Sequence, residues 1–279
     1  MQPLLRIRAF AVMGIARTAH GTALLRHALA AGLRPRCALI SAETDSQLER
    51  SRPLWGDRHW WKHTPHGSPL TLGRFRAWRE RLKRQKRIAA VPSSDSPHST
   101  ELEARLQLAG IPYAFVPGLG GHDACSLLRW AEVDAVLLTE SPILEGEILT
   151  VCPGGIINIH AAPLPEYRGN YATHWALYHD DPLYVTAHIV DEGVDTGPIL
   201  ARRPLPVLRG DTLSAIDVRA YEECGRVAAQ VLRDAMDRGV TPRPQAPWQG
   251  RAFTGRMPPN IVEELERRLK SDEYSHYAD

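Results

Sequence analysis

Three residues have the types and spacing for acyl-transfer chemistry. Asn158 and His160 stand two apart in the apolar segment 155–160, GIINIH, and Asp195 sits in the glycine-flanked turn Gly193-x-Asp195-x-Gly197. On a strand, residues i and i+2 share a face, so an amide and an imidazole would project together. The amide can hydrogen-bond an oxygen that gains charge, and the imidazole can shuttle a proton. A carboxylate beside the imidazole orients it and favours its charged form. Blander roles stand beside these: Asn158 as a partner for backbone groups at a strand end, His160 as a buried hydrogen-bonded histidine, Asp195 as a turn former.

The elements that must position these residues follow from apolar periodicity and turn signals. A strand is predicted at 6–13, a turn region at 14–21, a helix at 22–31 stopped by Gly32, and a strand at 36–41. Such a β-α-β start predicts an open parallel sheet. A helix capped by Ser99 or Thr100 should run to Ala109 and close at Gly110. Alternation then resumes, with strands at 111–117, 133–139, 155–160, 183–190 and 198–207. Helices are predicted at 122–131, 145–151, 171–179, 212–238 and 260–270. Asn158 and His160 therefore fall at the C-terminal end of a parallel strand, where open α/β sheets bind ligands. Asp195 reaches His160 if strands 155–160 and 183–190 are neighbours. The organisation expected is an α/β core over 1–207, with a loop-rich insertion at about 42–100, and a C-terminal helix and Pro-rich, helical extension over 208–279.

Composition narrows the classes. The chain has 279 residues, 43% of them hydrophobic and 24% charged, which excludes a wholly disordered, fibrous or collagen-like chain. No run of 18 apolar residues occurs, so no transmembrane helix or membrane partner is expected. The start of the chain, with arginines inside its apolar stretch, reads as a strand rather than a signal peptide. A net charge of +2 gives by itself no argument for a nucleic-acid partner. Cys37, Cys125, Cys152 and Cys224 form no C-x-x-C pair, so neither a zinc site nor a disulfide framework is expected, and a cytoplasmic location is the default. Within the insertion, the basic run at 74–87 on a helix at 71–88 is either a face that grips phosphate or RNA or a solvated helix face. Trp55, Trp60 and Trp61 suit ligand stacking, packing or a contact in a homo-oligomer. His59, His63 and His66 lack a carboxylate or thiol to complete a metal site, and no metal is expected. Ile261, Leu265 and Leu269 should dock the last helix on the body or on a partner.

Three pieces occur in order: Asn158-Ile159-His160, then Leu164-Pro165-Glu166-Tyr167-Arg168-Gly169, then Asp195-Thr196-Gly197. Together they resemble the signature of the folate-dependent formyltransferases, a family that includes glycinamide ribonucleotide, methionyl-tRNA and sugar N-formyltransferases and formyltetrahydrofolate hydrolases. The resemblance extends over about 105–207. It implies a Rossmann-like, mostly parallel twisted sheet flanked by helices. It also implies formyl transfer from 10-formyltetrahydrofolate, a cosubstrate, to an amine. By the same resemblance Asn158 and His160 surround the formyl oxygen, and His160, or a water ordered by Asp195, takes the amine proton. The pterin is expected between Ser141, Pro142, Ile143 and Leu144 on one side and Val190, Asp191, Glu192, Gly193 and Val194 on the other. Arg168 and Gly169 either shape their loop or touch substrate, His174 is placed on the acceptor side, and His188 is read as structural.

The sequence also departs from that pattern. The first turn, GIARTAHG, lacks the glycine-serine-asparagine phosphate loop associated with the purine-pathway enzyme. The stretch after 207 is short for the barrel that methionyl-tRNA formyltransferases append, and no regulatory domain is expected before the first strand. The favoured acceptor is therefore a small-molecule amine, an amino sugar or amino-acid derivative. The alternatives are a hydrolase, transfer to methionyl-tRNA or to a thiol carrier, and a non-catalytic folate-binding protein.

Overall fold

The computed structural model describes residues 4–15, 18–42, 101–246, 250–253 and 257–278. Residues 43–100 lie outside the described residues, and with them nearly all of the insertion expected at about 42–100: the helix expected at 71–88, the basic run, the Trp and His residues and the expected caps Ser99 and Thr100.

One seven-stranded sheet is built mostly from apolar segments that are buried on both sides. Its strands are β1 (Phe10–Ile15), β2 (Cys37–Ser41), β3 (Tyr113–Val116), β4 (Ala135–Leu138), β5 (Ile156–His160), β7 (Tyr184–Ile189) and β8 (Ile199–Pro204). The order is β3-β2-β1-β4-β5-β7-β8. The pairs from β3 through β5 are parallel, while β7 and β8 join antiparallel. Continuous apolar runs such as FAVM and AVLL are what strands covered on both faces require.

Helices α1 (Ala19–Ala30), α2 (Glu101–Leu108), α3 (His122–Ala131), α4 (Ala172–Tyr178), α5 (Leu213–Asp237) and α6 (Pro259–Lys270) surround the sheet, with a 3-10 turn at Gly146–Thr150. One face buries Leu24 and Leu25 of α1 and Val231 and Leu232 of α5 against Val12, Leu137 and Ile157. The other buries Leu127 and Leu128 of α3 and Ile148 against Met13, Val136 and Ile156. A third cluster joins Tyr167, Ile216, Leu265 and Leu269, so the last helix docks on the body.

The start of the chain differs from the expected elements. The first strand lies at Phe10–Ile15, not 6–13, because Ala11 to Ile15 pair with Cys37 to Ser41 and Phe10 to Met13 with Ala135 to Leu138. Residues before it are held instead by a bridge between Leu5 and Val240. The expected turn at 14–21 is largely absorbed: Gly14 ends up inside β1 and α1 begins at Ala19. Thr18 caps that helix, its Oγ1 accepting from the Gly21 N–H at 3.0 Å. Gly14 is needed for close approach, since a Cβ there would lie 1.7 Å from Thr139 Oγ1. The sequence also gave no sign of a second, two-stranded ribbon. It pairs β6 (Tyr167–Gly169) with β9 (Arg251–Phe253) and ties the tail to the loop after β5.

Among the described residues no helix is long and apolar enough to cross a membrane, and no group of three or more His, Cys, Asp or Glu is arranged to hold a metal ion.

Candidate active site

The parallel strand β5 delivers Asn158 and His160 to its C-terminal end, and antiparallel β7 runs back beside it. Pairing sets Asn158 opposite His188 and His160 opposite Thr186. The turn after β7 then returns Asp195 to the same place. That turn is tightly built. Asp191 Oδ1 accepts from Thr196 Oγ1 at 2.6 Å and from the Gly193 N–H at 3.1 Å. A Cβ on Gly197 would sit 1.8 Å from the Ile189 carbonyl oxygen, so only glycine permits this approach. Asp195 itself takes the left-handed conformation, φ 51°, which Asp tolerates better than most residues. From the C-terminal strip, Gln245 Nε2 donates to the carbonyls of Asp195, at 3.0 Å, and Gly197, at 2.6 Å.

Asp195 is the hub. Its Oδ2 accepts from the Gly169 N–H at 2.8 Å and lies 3.7 Å from His160 Nδ1. Its Oδ1 lies 3.4 Å from His188 Nε2. Burial alone would raise the Asp195 carboxyl, but positive charge on His160 and the Gly169 amide overcome it and hold the carboxyl well below the usual range. His160 Nε2 lies 3.2 Å from the Tyr167 carbonyl, which places the ring proton on Nε2 and the lone pair on Nδ1, facing Asp195. Burial pushes the His160 imidazole down, with Asp195 pulling the other way. Burial therefore favours the neutral ring, while the carboxylate stabilises a proton taken up at Nδ1; the depressed Asp195 carboxyl belongs to that charged pair.

His188, read from the sequence as structural, is the fourth member of this network. It is 1% exposed. Its Nδ1 lies 3.0 Å from the Ile189 carbonyl and its Nε2 3.1 Å from Asn158 Nδ2. With Nδ1–H donating to Ile189, Nε2 accepts from the Asn158 amide and fixes which way that amide faces. The pairing of β7 with β8 is irregular between Ala187 and His188, and such a bulge re-aims side chains. A strand read as plain alternation gives no warning of it; the adjacent register to Asn158 was the available signal.

These groups open onto a cavity of about 630 Å³. Asn158, His160, Asp195 and His188 all line it. Of the residues expected around a pterin, Ser141, Pro142, Ile143, Leu144, Val190, Asp191, Gly193 and Val194 line it too, whereas Glu192 is exposed and outside it. Ile143 is 69% exposed at the cavity's edge while Leu144 is buried. Gly169 and His174 line the cavity, but Arg168 does not. Arg168 is buried and its Nη2 faces Gln245 Oε1 and the Ala246 carbonyl, each at 3.4 Å. His20, Glu140, Asp217 and Tyr221 also reach the cavity. Sequence reading missed them because they come from α1, from the loop after β4 and from α5.

Comparison with known proteins is consistent with this geometry. Residues 118–232 match the family model described as formyl transferase. Over 116 residues the chain is 34% identical to a methionyl-tRNA formyltransferase of Thermodesulfovibrio yellowstonii, covering 40% of this chain and 36% of that one. Over 166 residues it is 30% identical to the methionyl-tRNA formyltransferase of Halorhodospira halophila, covering 55% and 52%. The chain thus spans about half or less of these relatives' length. Among solved structures, phosphoribosylglycinamide formyltransferase from Streptococcus pneumoniae superposes with a TM-score of 0.53 at 17% identity, covering 81% of this chain and 97% of that one. An N-formyltransferase from Helicobacter canadensis, in complex with folinic acid and dTDP-3-aminofucose, superposes with a TM-score of 0.55 at 12% identity, covering 97% and 83%. The sheet has the Rossmann-like α/β fold of these solved structures, and residues 118–232 are similar to the formyl transferase family.

Proposed function

We propose that this protein transfers a formyl group from 10-formyltetrahydrofolate to the amine of a small molecule, with Asn158, His160 and Asp195 as its catalytic residues. The observation that carries this reading is the convergence of an amide, a neutral imidazole and a carboxylate on one cavity at the C-terminal end of β5. When bound, the folate cosubstrate supplies the formyl carbon. The arm of the cavity between Ser141–Leu144 and Val190–Val194 suits a flat heterocycle, because it joins apolar walls such as Leu144 and Val190 to backbone donors and acceptors.

Each residue then has a task. Asn158, held by His188, presents its remaining N–H to the formyl oxygen as charge builds on it. His160 Nδ1 takes the proton of the attacking amine and Asp195 stabilises the resulting imidazolium; as the bond from the formyl carbon to N10 breaks, that proton passes to N10, and tetrahydrofolate leaves. His188 is a positioning residue: it touches Asn158 and Asp195 but acts through them. Gly169 fixes the carboxylate through its amide, and His174 lies on the acceptor side. The turn and loop residues Asp191 and Arg168 serve the shape of the site rather than its chemistry. The acceptor is an amino sugar or an amino-acid derivative, and the site lies in the cytoplasm.

The test is to incubate the purified protein with 10-formyltetrahydrofolate and a panel of amines, following tetrahydrofolate release and the N-formyl product by mass spectrometry. Amine-dependent release with a formylated amine is expected. Release at the same rate without any amine would instead establish hydrolysis. Folate binding with no turnover across the panel would leave a non-catalytic binding protein.

A further inference from the structure

Six residues line the cavity outside the segments assigned to the folate, and this part of the cavity is called its second arm: His20 from α1, Glu140 from the loop after β4, Tyr171 at the N-cap of α4, His174 from α4, and Asp217 and Tyr221 from α5. The groups crowd one another. The His174 Nε2 to Asp217 Oδ1 distance is 2.9 Å, and the rings of His20 and Tyr221 lie 5.7 Å apart, as those of Tyr171 and His174 do at 5.8 Å. Burial, then Asp217 and Glu140, push the Tyr221 phenol up, which places both carboxylates within electrostatic reach of one ring.

Two further observations point to a ligand. His20 Nε2 is buried beside the backbone of Thr139 and Ile159 but forms no hydrogen bond of good geometry, and a buried polar atom so placed is costly unless something completes its bonding. Burial also holds the His20 imidazole down at about 4, so the ring is neutral and does not repel a cation. Tyr171 is held at φ 57°, a left-handed conformation that a bulky aromatic rarely adopts, and is 41% exposed at the cavity. Strain of this kind collects at ligand sites. The polar groups of this arm are dominated by acceptors, two carboxylates and a neutral imidazole, set among two phenol faces. Carboxylates together with aromatic faces are the chemistry that receives an organic ammonium or guanidinium.

We propose that this arm binds a second, protonated amino or guanidino group of the acceptor, so that the substrate is a diamine-like molecule. One amine is presented neutral to the formyl carbon, and the other is held as a cation by Asp217 and Glu140. This rests on reading the cavity as an amine-formylating site, and it narrows the acceptor from any small amine to one with a positive charge at its far end. It also predicts discrimination against acceptors that carry a phosphate or carboxylate there, since like charges would be brought together.

The test uses matched probes with the full chain: 1,4-diaminobutane, butylamine and 4-aminobutanoate, titrated by calorimetry without folate. The expected order is diamine tightest, by about tenfold or more over butylamine, with the amino acid weakest. Asp217→Asn should erase most of that preference. Glu140→Gln, which leaves the His174 contact intact, should reduce it independently. Equal affinities, a preference for 4-aminobutanoate, binding by none of the three, or a preference untouched by both substitutions would overturn the proposal. Turnover is read separately. A protein that prefers the diamine but releases no tetrahydrofolate keeps this assignment and loses the formyl-transfer reading. Turnover at equal kcat/KM with all three amines does the reverse.

Discussion

The two halves of the central sheet are built on different terms. In β1, β2 and β4 the buried residues are apolar on both faces: Phe10 to Met13, Cys37 to Ile40 and Ala135 to Leu138. In β5 and β7 the interior admits polar groups. Thr186 and His188 are fully buried, and Asn158, His160 and Asp195 are partly so. A buried polar group is costly unless it is hydrogen-bonded, and here each has its partner. Thr186 Oγ1 donates to the Ala162 carbonyl at 2.8 Å and accepts from the Leu164 N–H at 3.3 Å. The imidazoles and the amide satisfy one another around Asp195. The antiparallel return of β7 makes this possible, because it brings residues 30 apart in the chain face to face. The parallel half therefore supplies rigidity, and the antiparallel half spends part of its interior on a preorganised polar network.

Substitutions can break that division or sharpen it. The largest effect on turnover is expected for Asp195→Asn, a loss of kcat on the order of 10²–10⁴-fold with folate binding retained, measured by steady-state kinetics and calorimetry. Its pH profile should also move. Burial lowers the His160 pKa, so the acid limb of kcat/KM should lie below the ordinary imidazole value of about 6.5. Asp195 pulls that value up, so Asp195→Asn should shift the limb further down. Stability follows from the same shifts. Below about pH 6.5 the unfolded chain binds a proton that folded His160 resists, so the folded state loses ground as pH falls. The depressed Asp195 carboxyl adds stability that is fully present above its unfolded value of about 3.9 and fades as pH falls through the folded value. Thermal melts from pH 8 to 2 should therefore show a decline below about pH 6.5 and a second one that sets in below about pH 3.9, the second missing in Asp195→Asn.

In the other half, Leu137→Ala should lower stability by about 2–5 kcal/mol, because it opens a cavity among Leu24, Val12 and Ile157. The kcat of the protein that stays folded should barely change. Chemical denaturation alongside kinetics at low temperature checks both. A smaller effect is expected for His188→Ala, a kcat loss on the order of tenfold with KM little changed, in line with other groups that orient a working residue. His188→Gln, which can still accept from Asn158, should recover part of it. Equal loss in both variants, or a loss confined to stability, would make His188 a packing residue only.

Much of this arrangement is legible in the chain itself. Asn158 and His160 share a face because strand periodicity is rigid, and the helices at 122–131 and 212–238 are marked by their apolar stripes. What escapes is information carried by tertiary contact. The role of His188 depends on a β-bulge and on the register with β5. The first strand is displaced from its apolar peak because its boundaries are set by partners β2 and β4. Gly14 and Gly21 look like a turn, but both are small because Thr139 lies against them. His20, Asp217 and Tyr221 meet only through the packing of α5 beside α1, at chain separations no local pattern records.

The central claim is that the polar network around β5 and β7 performs the proton transfer of formylation. The most direct test is His160→Ala, with tetrahydrofolate release and folate affinity measured on the same preparation. The account predicts that turnover falls by about 10²-fold or more while folate affinity stays within a few-fold of the wild type. Full turnover in His160→Ala with intact folate binding would contradict it.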